Sequence, residues 1–268
     1  MRDEQPYHHG LRRAAETGWA VLSSGGSALN AVQASAVELE DDPLFNAGRG
    51  AVVNENREIE HDAALMDGAS GRVAGVASVR GIRNPIRLAR AVMDCTQHVL
   101  LVAAGAEALA EREGIERVDP SWHRVEHRDP QLSFGDTIGA VAIDGAGHLA
   151  AATSTGGIQH KLKGRVGDAP LPGGGLYAAD DACAVSASGH GEAIMRAVAS
   201  HEVAAAVRHG GMPLVDAVRA ALARIDGAAG LIAVGPGSES AIEFNTEVFH
   251  RATADAEGIR TAVAADWR

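Results

Sequence analysis

Residues 138–143 (Ile-Gly-Ala-Val-Ala-Ile) and 148–153 (His-Leu-Ala-Ala-Ala-Thr) are two apolar runs joined by the turn Asp144–Gly147. Apolar runs of this length around an Asp- and Gly-bearing turn read as a β-hairpin of buried strands. A hairpin brings its open ends together. Thr137, at the start of the first strand, is therefore placed beside Thr155, 18 residues on and just past the second. A chain with this hairpin at its middle builds sheets around it and covers them with helices.

The rest of the chain supplies those partners. Helical spacing of apolar residues predicts helices over 12–24, 28–40 (Ser27 as N-cap), 85–94 (from Pro85), 103–113, 192–208 and 213–225. Strands are expected at 51–53, 63–66, 73–79, 99–102, 182–187, 231–234 and 242–244. Residues 114–134 read as a solvated linker, and 156–176, rich in Gly, Pro and Lys, as an irregular loop. Neither half buries a core alone, so the expectation is one α/β domain over 1–268.

Aromatic residues make up only 3% of the chain, so Ala, Val, Leu and Ile pack the core, with close approaches at Gly. A net charge of -11 argues against nucleic acid and against an anionic membrane surface. No apolar run is long enough to span a bilayer, and the start lacks an apolar leader core, giving a cytoplasmic expectation. Cys95 and Cys183, both in apolar contexts, are expected as buried reduced thiols. His8 and His9 are expected to be exposed. The twelve His are scattered without metal-ligand spacing.

Three further pieces carry chemistry. A Thr hydroxyl is a poor nucleophile and needs a base; an α-amine of pKa about 7.7–8.0 is well matched to that task. Thr137 has such an amine only if the bond from Asp136 is broken, by attack of its own hydroxyl on the Asp136 carbonyl followed by ester hydrolysis. Thr155 would polarise it. Arg165 and Asp168, three apart in one loop, offer a partner for a carboxylate and one for an ammonium. Ser188-Gly189-His190-Gly191 joins a strand to a helix, where backbone N–H groups can hold an oxyanion. Taken alone, each of these is equally a common structural feature.

Together and in order, Asp136-Thr137-Ile138-Gly139, Thr153-Ser154-Thr155-Gly156-Gly157, Gly164-Arg165-Val166-Gly167-Asp168, Gly189-His190-Gly191-Glu192 and Phe244-Asn245-Thr246-Glu247 resemble the plant-type asparaginases (isoaspartyl peptidase/L-asparaginase). Gly26-Ser27-Ala28-Leu29, Pro43–Gly48 and Met66-Asp67-Gly68 extend the likeness over nearly the whole chain. The resemblance implies an Ntn-hydrolase fold, a four-layer αββα sandwich. It implies self-cleavage into subunits 1–136 and 137–268, paired again as a homodimer. Thr137 is then the nucleophile and Thr155 its activator. Arg165 and Asp168 hold the substrate's α-carboxylate and α-amino groups, Ser188 and Gly189 line the oxyanion hole, Gly191 lies against the substrate and Asn46 near the nucleophile. No cofactor is implied beyond a structural sodium ion on the main-chain carbonyls of Leu39, Glu40, Asp42, Phe45, Ala47 and Arg49.

This chain also departs from the pattern. The family opens with an apolar strand ending in His-Gly-Gly; the chain starts after it, which a misassigned start codon would explain, and an exposed sheet edge and weaker cleavage are expected. Ser188 replaces the family's oxyanion Thr and keeps a hydroxyl. His190 replaces the next Thr. Asp136 stands where the asparaginases have Gly, as in the glycosylasparaginases. The expected activity is hydrolysis of L-asparagine or of β-aspartyl dipeptides. The alternatives are glycosylasparaginase activity and an unprocessed, inactive relative.

Overall fold

Alanine sets the spacing of the layers. In the computed structural model, which describes residues 4–125 and 137–264, strands β1 (His61–Asp67) and β5 (Leu149–Thr155) are buried on both faces, and their inward positions are mostly Ala. They lie at the middle of a five-stranded sheet of order β3-β2-β1-β5-β4, with β2 at Val73–Val79, β3 at Leu100–Val102 and β4 at Ile138–Ile143. All pairs are antiparallel except β2–β3. Helix α3 (Pro85–Cys95) makes the crossover that a parallel pair requires. A second sheet, β6-β7-β8-β9, is antiparallel throughout (Leu176–Ala178, Ala184–Gly189, Ala229–Val234, Ser240–Phe244).

The two sheets pack face to face through Ala64, Met66, Leu149 and Ala151 against Leu176, Ala178, Ala184 and Val234. At Gly139 of the first sheet any added Cβ would collide with the Ser186 hydroxyl of the second. Helices α2 (Ala28–Asp41), α3 and α4 (Ala103–Arg112) cover the first sheet's other face, and α1 (Gln5–Ser23) packs on α2. Helices α5 (Gly191–Ala197), α6 (Ala199–Gly210) and α7 (Leu214–Leu222) cover the second. Fully buried Leu65, Ile86, Leu88 and Leu231 anchor these interfaces, each by about 1.5–3 kcal/mol of transfer energy. No described helix is long and apolar enough to cross a membrane.

Several expectations are corrected. Ala51–Val53 is not a strand: the Val52 N–H donates to Asn46 Oδ1 and the Val53 carbonyl accepts from His160 N–H, so the segment braces two loops. The helix expected over 192–208 is broken at Val198, at φ 48° and ψ 43°. The break turns the Ser200 and His201 amides onto the Gly174 and Gly173 carbonyls. Helix α1 begins at Gln5, and His8 is buried, with Nδ1 2.8 Å from Thr261 Oγ1, while His9 is exposed. Cys95 is exposed and only Cys183 is buried; both are free. Strand β6 and the hairpin β10–β11 (Arg251–Asp255, Gly258–Ala262) fall where no element was expected. The linker's described part, to residue 125, holds a short 3-10 turn at Pro120–His123; its remainder lies outside the described residues.

One edge of the hairpin is open. The described pairings of β4 all run to β5, and those of β10 all run to β11. Thr137–Gly145 and Val248–Asp255 face a groove of about 710 Å³, roofed by Leu11, Ala14, Trp19 and Leu22 of α1.

Candidate active site

The hairpin delivers the two threonines as a pair. β4 and β5 are in register from Ile138↔Ser154 to Ile143↔Leu149, so Thr137 emerges opposite the end of β5. The Thr137 hydroxyl donates to Thr155 Oγ1 at 3.2 Å, and Thr155 Oγ1 also accepts the Gly157 N–H at 2.9 Å. Asn46 fastens this corner. Its Nδ2 donates to the Gly157 carbonyl at 2.6 Å, and its own carbonyl accepts the Gly156 N–H. One residue before Thr155, the Ser154 hydroxyl donates to Glu40, a fully enclosed carboxyl that burial pushes up to about 8.

Arg165 and Asp168 arrive from the loop between β5 and β6. The Arg165 guanidinium donates from Nε and Nη2 to the two oxygens of Glu192, both at 2.9 Å. That leaves its Nη1 between Gly157 and Gly167. The pair holds the Glu192 carboxyl below its ordinary range, the Arg165 hydrogen bonds being the main cause. Asp168 is the opposite case. Burial pushes it up to about 7, and its Oδ2 has no partner. A buried acceptor without a donor is suited to an incoming ammonium. Gly191 lies against both groups: a Cβ there would stand 2.7 Å from Asp168 Oδ1 and 2.9 Å from Arg165 Nη2.

Thr137, Thr155, Asn46, Gly189, Arg165 and Asp168 line one small pocket of about 10 Å³, space for roughly one water. Ser188 lines the neighbouring groove, which also reaches Thr137. At this turn the His190 N–H is closed onto the Ala228 carbonyl at 2.8 Å, so it is not an oxyanion donor. Ser188 and Gly189 stand just before it, at the end of β7. His190 sits at the rim, its ring over Gly227 and its Nε2 3.5 Å from Glu192 Oε2. Asp136 lies outside the described residues.

The loop after α2 bends sharply. The carbonyls of Pro43 and Phe45 crowd Gly50, and that of Glu40 crowds Gly48. Carbonyl oxygens are the donor type that a hard cation takes. The carbonyls of Asp42 and Ala47 each already accept a loop amide, from Phe45 and Gly50. Among the described residues no cluster of three His, Cys, Asp or Glu could hold a metal ion.

Sequence reasoning assigned no role to Glu192, Glu60, Asp62 or Lys161, yet all stand around the loop 164–168. The available signal was charge: Glu60 and Asp62 flank His61 just ahead of the apolar run Ala63–Met66, and charged residues are seldom fully buried unless paired.

Comparison with known proteins bears on the whole chain. A family model described as asparaginase matches residues 1–135 and 124–264. An isoaspartyl peptidase of Escherichia coli (strain K12) is 40% identical over 277 aligned positions, covering 94% of this chain and 86% of that protein. An isoaspartyl peptidase/L-asparaginase of Xenopus laevis is 41% identical, over 90% of this chain and 83% of its own length. The protein of the same description from Bos taurus is 42% identical, over 88% and 83%.

Proposed function

Because the chain belongs to the asparaginase family, we propose that it is a threonine-nucleophile amidohydrolase acting on L-asparagine, on β-aspartyl dipeptides, or on both. The observation that carries this reading is the convergence of the Thr137–Thr155 hydroxyl pair with Arg165 and Asp168 on one pocket. Scission between Asp136 and Thr137 frees the α-amine of Thr137, which then serves as the base for its own hydroxyl. Arg165 Nη1 takes the substrate's α-carboxylate and Asp168 its α-ammonium. This places the β-carbonyl at Thr137 Oγ1. Attack gives a tetrahedral oxyanion facing the Gly189 N–H and the Ser188 hydroxyl. Collapse expels ammonia or the amine of the second residue, which leaves with a proton. Water then hydrolyses the β-aspartyl ester and restores Thr137.

The same reading extends to architecture. We propose the Ntn-hydrolase four-layer αββα arrangement, and that the groove between the open edges of β4 and β10 is the slot of one further apolar strand. A sodium ion on the 39–49 loop, through main-chain carbonyls, belongs to this proposal and is supported by the carbonyls crowding Gly48 and Gly50. So do a homodimer of cleaved chains and a cytoplasmic setting, the latter supported by two unpaired cysteines.

The test is intact mass after long incubation at neutral pH, followed by product release from L-asparagine and β-Asp-Leu. Two fragments meeting between Asp136 and Thr137, with turnover of either substrate, are expected. An uncut chain with no turnover would sink the proposal, and turnover of GlcNAc-Asn alone would move it to glycosylasparaginase.

Asp168 gives the activity a defined pH dependence. The α-ammonium needs the ionised carboxylate, which is lost as pH falls through about 7. The Thr137 α-amine must also be unprotonated, with its own pKa about 7.7–8.0. A log plot of kcat/KM against pH should therefore fall with unit slope below about 8 and approach a slope of about two below 7. Asp168→Asn should leave a single unit slope. A wild-type profile flat from pH 6 to 8 would contradict this assignment.

A further inference from the structure

The loop that presents Arg165 and Asp168 rests on two acids, Asp62 of β1 and Glu60 just before it. Glu60 accepts the Gly164 N–H at both carboxylate oxygens, 3.2 and 3.1 Å. Asp62 accepts the Gly167 N–H at Oδ2, 3.3 Å. These two amides bracket Arg165. In the other direction both acids grip Ser78: its hydroxyl donates to Glu60 Oε1 at 2.7 Å and its N–H to Asp62 Oδ1 at 2.8 Å. Ser78 is held at φ 52°, and the β1–β2 register slips between His61 and Ala63. A bulge of this kind re-aims a side chain. Here the extra residue lies on β2, where Ser78 turns its N–H onto Asp62; the Asp62 backbone pairs with Thr155 while its carboxyl serves the binding loop.

A buried cation stands near both acids. Lys161 is 3% exposed, and its Nζ donates to the Glu60 carbonyl at 3.1 Å. Burial pushes Glu60 upward, but hydrogen bonds from Asn54, Ser78 and Gly164, with Lys161 nearby, hold it below its ordinary value. Asp62, Glu60 and Lys161 are all nearly sealed from water. A buried charged cluster is a poor source of stability against an apolar alternative. Its use is geometric: it fixes a loop that has no regular secondary structure between Gly156 and Gly175.

We propose that Glu60 and Asp62, with Lys161 as counter-ion, are positioning residues that set the reach of Arg165 and Asp168 toward the substrate's two α-groups. This rests on the substrate reading of Arg165 and Asp168 given above. The cluster's side chains hold the binding loop, whereas the threonine pair is held by Asn46 and the hairpin. Damage to the cluster should therefore weaken substrate capture more than chemistry.

The experiment is steady-state kinetics of Asp62→Asn on the full chain, with intact mass in parallel. In Asp62→Asn one of two N–H groups loses its acceptor and a charge disappears beside Lys161 and Arg165. KM for β-Asp-Leu should rise by about tenfold or more, with kcat within about threefold and scission before Thr137 unchanged. In an Arg165→Ala background the same substitution should add less than about twofold, because the two act through one contact. A fall in kcat at constant KM, or full additivity with Arg165→Ala, would overturn the inference. If Asp62→Asn fails to fold, Glu60→Gln carries the same test with the same outcomes. A wild type inactive on both substrates sinks the substrate reading itself; an active wild type with unmoved KM in the variants sinks only the positioning role.

Discussion

Thr137→Ala should give a single uncut chain with no measurable hydrolysis, a loss of about 10⁴-fold or more. Two functions vanish with one oxygen. The hydroxyl that attacks the Asp136 carbonyl is the one that later attacks substrate, and without scission no α-amine is freed to act as base. The fold should survive, since Thr137 precedes the first ladder pair of β4 and its side chain's described hydrogen bond is to Thr155. Thr137→Ser keeps the hydroxyl and should retain both reactions at reduced rate. The measurement is intact mass alongside ammonia release from L-asparagine. Retained hydrolysis in Thr137→Ala would remove Thr137 from the mechanism and leave the groove-facing Ser188 to be examined.

Arg165→Ala is the second large effect, and it should separate the two reactions. Removing the guanidinium takes away the substrate carboxylate's partner and strips Glu192 of a bidentate contact. Truncating one member of a hydrogen-bonded charge pair costs about 2–5 kcal/mol. We therefore expect kcat/KM to fall by about 10²–10³-fold, mostly in KM, while the chain is still cut before Thr137. Arg165→Lys should restore little, because a single ammonium cannot serve both Glu192 and the substrate as the fork does. Failure to cut in Arg165→Ala would mean that the binding loop also shapes the scission site.

The hairpin, the threonine pair and the Arg165–Asp168 loop were legible because each is local. An 18-residue spacing around one turn fixes which residues meet, whatever surrounds them. The loop's footing was not legible, since Glu60 and Asp62 lie more than 100 residues from Gly164 and Gly167. No periodicity encodes a contact of that separation. The break at Val198 was missed because residues 192–208 contain neither Gly nor Pro to mark it. What decides it is tertiary: the α6 amides find the Gly173–Gly174 carbonyls. Strands β10 and β11 were missed because Ala-Thr-Ala alternation carries almost no hydrophobic contrast. Cys95 ends α3 on its solvent side, where apolar neighbours in sequence say nothing of burial.

The raised Asp168 carboxyl has a consequence for the stability of the protein as a whole. An acid whose folded pKa lies near 7, against about 3.8 when exposed, holds its proton more tightly folded than unfolded. Linkage then makes the fold lose stability as pH rises from about 4 through 7, by an amount on the order of a few kcal/mol, with the loss complete above that window. Above that window the resting enzyme thus carries a buried anion whose Oδ2 has no hydrogen-bond partner. An amino-acid ligand brings the missing positive charge. L-Aspartate, the acid that the proposed reaction releases, should therefore raise the melting temperature, and more so at pH 8 than at pH 5.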